Sequence, residues 1–411
     1  MGAFVNAAPS ADELSTMIAD KANSIQTLQA EIAKYQKDLK VIGGQKTSLQ
    51  NELKILDLTT KKLAADIAVT ENKISVTNFQ LEELSSQINV KSDQLEENIG
   101  AIGEALKLIN ENDANDLVRM ILASRSMSNT WDTLETDQRF EDSVRKNIEN
   151  LKLVKHDLEA QKDQTTKIKN QLTSLQKDLA DQKQVADYNT KQKNDLLKAT
   201  KNNESNYNKI LAQKITLRDA FERELLDYES QLHLLIDPKS YPAPLKGILS
   251  WPLDNVTVTQ LFGNTSFSAS HPQVYNGQGH NGVDFRAAIG TPVKAVLEGE
   301  VIGTGDTDSI CPGASYGKWV LVQHHNGLSS LYAHFSVLRV GKGNHVDTGE
   351  ILGYSGNTGY TTGPHLHLSL FATQGVEIME HKSKVCGGTY TMPIADLKAY
   401  LNPLSYLPTL N

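Results

Sequence analysis

Gly363-Pro364-His365-Leu366-His367-Leu368-Ser369-Leu370 alternates polar and apolar residues after a Gly-Pro turn. A period of two predicts a β-strand with one face buried. It also sets His365 and His367 on the same face, since side chains along a strand repeat every second residue. A second string, Gly279-His280-Asn281-Gly282-Val283-Asp284, adds another imidazole and a carboxylate. Two neutral imidazoles and one carboxylate are a donor set that Zn²⁺ takes while keeping a fourth position open for water. One ring of the His-x-His pair can then hold metal while its neighbour works on whatever the metal binds. The pattern points to a hydrolytic zinc site.

Around these strings the chain reads as short alternating segments between Gly-bearing turns. Val256-Thr257-Val258-Thr259-Gln260-Leu261-Phe262-Gly263, Gly299-Glu300-Val301-Ile302, Trp319-Val320-Leu321-Val322 and Ser329-Ser330-Leu331-Tyr332-Ala333-His334 are examples. Turns every eight to twelve residues or so predict an antiparallel all-β domain. The preceding part has another composition. Between Ser10 and Asp237 there is no proline, and glycine occurs only at Gly43, Gly44, Gly100 and Gly103. Beyond that lie eleven prolines and nine of the eleven histidines. A helix-rich first part therefore meets a turn-rich second part near Pro238-Lys239-Ser240-Tyr241-Pro242-Ala243-Pro244. At 411 residues the chain has room for both.

The first part carries heptads. Steps of seven from Ile25 to Ile109 meet Ile32, Leu39, Leu53, Ile67, Ile74, Leu81, Ile88, Leu95 and Ile102, interrupted by Lys46 and Thr60. A companion series contains Leu28, Tyr35, Ile42, Leu49, Leu56, Leu63 and Leu84. A second seam runs through Val144, Leu151, Leu158, Leu172, Leu179, Ala186, Tyr207, Phe221, Tyr228 and Leu235, with Gln161, Gln182, Asn189 and Asn203 in its weaker row. Such a sustained a/d pattern predicts a left-handed coiled coil. Two runs of similar length, 12–110 and 138–236, suggest an antiparallel hairpin; a parallel dimer of one long rod is the rival. The turn between the runs carries Leu117, Met120, Ile121, Leu122, Met127 and Trp131. These apolar residues read either as a small core closing the tip or as a partner-docking surface.

A net charge of −8 with interspersed signs argues against a nucleic-acid binder. No stretch approaches the roughly eighteen apolar residues of a membrane span. Val5-Asn6-Ala7 resembles the end of a signal peptide, so residues 1–11 read as a disordered start or a signal-peptide remnant of an exported chain. Cys311 and Cys386, the only cysteines, then read as a disulfide, against the alternative of two unrelated buried thiols.

The ordered strings His280-Asn281-Gly282-Val283-Asp284-Phe285, Gly290-Thr291-Pro292-Val293-Lys294-Ala295, Tyr332-Ala333-His334-Phe335-Ser336, Gly356-Asn357-Thr358-Gly359 and Gly363-Pro364-His365-Leu366-His367 resemble the lysostaphin/LytM-type zinc metallopeptidases. The resemblance implies a compact antiparallel β-domain with an open groove, one zinc, and the peptide cross-bridges of peptidoglycan as substrate. It implies His280, Asp284 and His367 as metal ligands, with His334 and His365 as catalytic histidines. A long coil ahead of such a domain is similar to the EnvC-like murein hydrolase activators and coiled-coil cell-separation hydrolases. That layout implies an FtsE–FtsX-type membrane complex as partner and a location outside the cytoplasmic membrane. The expected plan is a coiled-coil hairpin over 12–236 with its tip near 110–137, a linker over 237–246, and the metallopeptidase domain over 247–411. Because none of the five site residues is replaced, a zinc endopeptidase regulated through its coil is expected. A non-catalytic activator of a separate amidase and a wall-binding scaffold are the alternatives.

Overall fold

The computed structural model describes residues 11–42, 48–113, 127–232, 234, 236–263 and 279–410. A large helical region comes first: α1 (Ala11–Ile42), α2 (Leu49–Asp113), α3 (Met127–Thr200) and α4 (Glu204–Glu229). The second heptad run is therefore divided between α3 and α4. The break has a clear local cause. Lys201 and Asn202 both take left-handed backbone, with φ of 50° and 54°, which α-helix cannot continue through. Asn203 then caps α4, its side chain accepting from the N–H groups of Ser205 and Asn206. Of the expected tip residues, Leu117, Met120, Ile121 and Leu122 lie outside the described residues, as do residues 1–10. Met127 and Trp131 are described only as helix backbone.

The chain divides into two compact units, Met1–Thr27 with Val69–Asp178, and Leu28–Ala68 with Leu179–Asn411. In the first unit, Lys91 of α2 pairs with Asp157 of α3, and Lys21 of α1 bonds Asn72 of α2 at 3.1 Å. Such exposed contacts stabilise little. In the second unit, α2 and α3 run antiparallel. Asn189 donates to the Leu56 carbonyl at 3.1 Å and to Thr60 Oγ1 at 2.9 Å, while Lys193 pairs with the earlier Asp57. The companion heptad row is the one most deeply buried: Leu49, Leu56, Leu63, Thr70, Thr77 and Leu84 are all buried, whereas Leu53, Ile67, Ile74 and Leu81 are half-buried.

The rest of the second unit is antiparallel β-structure. Its main sheet has the order β1 (Val258–Gln260), β2 (Val283–Arg286), β10 (His365–Ala372), β6 (Leu328–Ala333), β5 (Lys318–Gln323), β4 (Gly299–Asp306) and β8 (His345–Val346), with β13 (Tyr400–Leu401) also pairing β10. A smaller sheet joins β3 (Pro292–Lys294), β9 (Ile351–Ser355) and β7 (Phe335–Leu338). A separate hairpin joins β11 (Val376–Lys382) to β12 (Thr389–Ala395). Val283, Phe285, Tyr332, Phe335, Leu352, Leu366 and Leu368 form the first core between the sheets. Burying each such side chain stabilises by roughly 1.5–3 kcal/mol.

Helices of the same unit complete two further cores. Phe221 and Leu225 of α4 pack with Tyr316, Trp319, Tyr390, Met392 and Ile394. Leu56, Leu63 and Val185 pack with Ile289, Val337 and Tyr354. Cys311 and Cys386 form a disulfide, tying the β4–β5 loop to the turn of the β11–β12 hairpin.

Polar contacts seat α4 as well. Glu224 accepts from Ser383 Oγ at 2.6 Å and from the Lys384 N–H. Glu229 accepts from Tyr400 Oη at 2.7 Å and from the Ala395 N–H at 3.3 Å. Burial pushes the Glu229 carboxyl up to about 8, against the opposing pull of those two donors, so it is largely neutral at pH 7. A folded-state pKa above the unfolded one stabilises most at low pH, and that contribution is lost as pH rises from about 4.5 through about 8. Thermal melts of Glu229→Gln should accordingly lose less stability than the parent between pH 5 and 9. The expected difference accumulates at up to ~1.4 kcal/mol per pH unit within that window.

Candidate metal centre

The register of the main sheet assembles the centre. β10 pairs β2 with His367 opposite Asp284, and pairs β6 with His367 opposite Ala333. His280 stands just before β2, bridged to Gly263, and His334 sits between β6 and β7 with a left-handed φ of 66°. Ligand atoms of His280, Asp284 and His367 all lie within 4.8 Å of one another. From Asp284 Oδ1 the distances are 3.4 Å to His280 Nε2, 2.9 Å to His367 Nδ1 and 3.7 Å to His365 Nε2. A tetrahedral ion with bonds of ~2.0–2.1 Å separates its ligand atoms by about 3.3 Å, so the first two spacings suit one.

Hydrogen bonds on the far side of each ring set the tautomers. His280 Nδ1 donates to the Leu261 carbonyl at 3.1 Å, His334 Nδ1 to the Thr358 carbonyl at 2.8 Å, and His365 Nδ1 to the Gly363 carbonyl at 2.8 Å. His367 is reversed. Its Nε2 lies outward, 2.8 Å from Ser369 Oγ, which donates to the Asn281 carbonyl at 3.1 Å, and its Nδ1 lies inward, hydrogen-bonded to Asp284 Oδ1 at 2.9 Å. Nε2 of His280 and His365 and Nδ1 of His367 therefore face the Asp284 carboxylate. That donor set suits a positive charge at its centre, and outer partners of this type are how proteins orient histidine ligands. The residues fit a zinc ion.

Electrostatics favours the required protonation states. Burial pulls the His280 imidazole down to about 4, with Asp284 opposing, which keeps the ring neutral at pH 7. Burial, with His365 and His367 adding to it, holds His334 well below the usual imidazole range. Burial alone would raise Asp284, but the surrounding imidazoles outweigh it and hold the carboxyl well below its usual range.

A cavity of about 390 Å³ opens onto these groups, lined by His280, Asp284, His334, His365 and His367. Its other wall is helical: Glu52 and Ile55 of α2, and Phe221, Glu222 and Leu225 of α4. The helical wall, Ser369 and the carbonyls of Leu261, Thr358 and Gly363 all escape a sequence reading. Heptad periodicity cannot show what a helix packs against, and backbone carbonyls carry no residue signature. The remaining described histidines lie elsewhere. His324 is buried between the Glu298 carbonyl and Ser330, His381 stands beside Glu224, His325 and His345 are exposed, and His271 lies outside the described residues.

Residues 278–378 match the model of Peptidase family M23. This region is an M23-type peptidase domain. The chain is 40% identical over 97 residues to the "DD-carboxypeptidase/endopeptidase Mpg" of Neisseria meningitidis serogroup B, a match covering 24% of this chain and 21% of that protein. It is 43% identical over 100 residues to the "Peptidoglycan DD-endopeptidase ShyA" of Vibrio cholerae, covering 24% and 22%. These matches span only about a fifth of each relative. Among solved structures, the catalytic domain of lysostaphin from Staphylococcus simulans is 27% identical, covering 37% of this chain and 91% of that one with a TM-score of 0.26.

One glycine tests the cradle. A Cβ on Gly282 would lie 2.6 Å from His367 Cε1 and Nε2 and from the Leu368 carbonyl. Gly282→Ala should displace the His367 ring and weaken zinc binding about tenfold or more, read by competition against a chromogenic chelator.

Proposed function

We propose that this chain is a zinc-dependent peptidoglycan endopeptidase acting outside the cytoplasmic membrane, with its helices holding the groove partly closed. The observation that carries the reading is the convergence of ring nitrogens of His280, His365 and His367 on the Asp284 carboxylate, at 3.4, 3.7 and 2.9 Å. Names of relatives that match part of this chain, a "Peptidoglycan DD-endopeptidase" and a "Glycyl-glycine endopeptidase", support the substrate class. Among the described residues no helix is long and apolar enough to cross a membrane.

His280 Nε2, Asp284 Oδ1 and His367 Nδ1 would hold the zinc, whose contribution when bound is to acidify a water and polarise the scissile carbonyl. His365 supplies the base. With its Nδ1–H held by Gly363, Nε2 is the free acceptor for the water's proton as the water oxygen bonds to the carbonyl carbon. The same Nε2–H then protonates the leaving amine nitrogen as the C–N bond breaks. His334, neutral and turned the same way, holds the water by accepting from it.

The helical wall supports a regulatory role for the first part of the chain. Phe221, Glu222 and Leu225 wall one side of the cavity, so a shift of α4 would widen it for a long substrate. A partner that binds the helical part could drive that shift. The EnvC-like layout suggests an FtsE–FtsX-type membrane complex.

Two measurements test these statements. Mass spectrometry of digested peptidoglycan should show cleavage by the parent chain and at least a hundredfold loss in His365→Ala with zinc content unchanged, whereas His280→Ala should lose zinc and activity together. Digestion by His365→Ala at the parent rate would remove His365 from catalysis. Leu225→Asp, which forces a charge against the domain, should digest intact sacculi several-fold faster than the parent. Equal rates would remove the restraining role.

A further inference from the structure

The loop between β4 and β5 approaches the loop between β9 and β10 through a single side chain. Asp308 Oδ1 accepts the Gly313 N–H at 2.7 Å within its own loop. Its Oδ2 accepts the Gly359 N–H at 2.7 Å from the other. That second N–H belongs to the Thr358–Gly359 peptide group, whose carbonyl accepts from His334 Nδ1 at 2.8 Å. A carboxylate and an imidazole therefore grip opposite ends of one planar amide.

Resting on the catalytic reading of His334, we infer that Asp308 is a positioning residue, acting through the Thr358–Gly359 peptide to fix the tautomer and orientation of His334. An ionised acceptor on the N–H end polarises the amide and strengthens its carbonyl as an acceptor, since hydrogen bonds in series reinforce one another. The chain carboxylate–peptide–imidazole thus does at a distance what a carboxylate bonded directly to a histidine does: it keeps the proton on Nδ1 and leaves Nε2 as the acceptor. The backbone around it is shaped to this end. His334 itself has left-handed backbone, its N–H donates to the Tyr316 carbonyl at 2.9 Å, and Thr358 Oγ1 ties Phe335 to Lys318. Ser315, with a φ of 44°, and Tyr316 follow Asp308 in the same loop and line the cavity. Burial pushes the Asp308 carboxyl up and Asp306 adds to this, while the two glycine N–H groups and Lys214 of α4 work against it. The disulfide from Cys311 anchors the loop two residues beyond Ser309.

The test uses the full-length zinc-loaded chain with Asp308→Ala and the near-isosteric Asp308→Asn. Zinc content should be unchanged in both. Long-range ¹H–¹⁵N spectra of ¹⁵N-histidine-labelled protein should show the His334 ring protonated at Nδ1 in the parent and a mixture of tautomers in Asp308→Ala. Turnover of a soluble cross-linked muropeptide should fall about ten- to a hundredfold, with KM little changed. In a His334→Ala background, Asp308→Ala should have no further effect. Unchanged ring signals, or an equal loss of turnover in both backgrounds, would overturn the inference. If the parent shows no turnover while its ring tautomer still responds to Asp308, the endopeptidase reading fails and the relay stands.

Discussion

The pairing of β10 with its two neighbours is the constraint on which the molecule depends. Because strand side chains alternate, slipping β10 by one residue would carry His365, His367 and Ser369 to the opposite face together. The centre therefore exists only in the observed register, with His367 opposite both Asp284 and Ala333. Leu366, Leu368 and Leu370, on the other face, enforce that register by filling the first core. The apolar half of the strand thus places the polar half. Gly282 and Ser369 refine the position, one by leaving room for the His367 ring and the other by fixing which nitrogen faces inward.

The helical part of the second unit does more than precede the β-domain. Phe221 and Leu225 are buried in a core shared with Tyr316 and Trp319, so removing α4 would expose apolar groups directly beside the centre. Its seat also includes a carboxyl, Glu229, that burial keeps largely neutral near pH 7. A neutral carboxyl still hydrogen-bonds to Tyr400 but avoids most of the desolvation cost of a buried charge. This seat combines firm packing with polar contacts that are not the strongest available.

How legible this was differed by level. The all-β character of the second part follows from alternation, and residue type and spacing single out His280, Asp284, His365 and His367, whereas His334 and the role of each residue come only from the resemblance to the metallopeptidases. Periodicity also revealed a helical first part, since packing of long helices imposes a seven-residue repeat regardless of partner. It failed at Lys201-Asn202-Asn203, where two non-glycine residues adopt left-handed backbone and no proline or glycine announces the break. Nor does composition show which row is deeper: Thr70 and Thr77 are buried although the neighbouring row is richer in isoleucine. Thr77 manages burial by bonding its own helix at the Lys73 carbonyl, a local solution invisible to hydrophobicity counts. The helical wall of the cavity was out of reach for a different reason. It depends on which faces meet, and one sequence does not encode that as a local pattern.

The outer hydrogen bonds of the centre decide which ring nitrogens face its carboxylate. Three rings, at positions 280, 334 and 365, give their Nδ1–H to backbone carbonyls, and the fourth sets Nε2 beside a serine that is itself committed to a carbonyl. These outer bonds hold the inner ring nitrogens close to the Asp284 carboxylate, a donor set that suits a divalent ion. Binding energy and folding energy are then partly the same quantity, as in other sites whose ligands are organised only in the folded chain. Protons compete for the same lone pairs, so acidification works against both. The outer carbonyls and Ser369 are therefore as much a part of the centre as the ligands, since they decide which charge the site can accept.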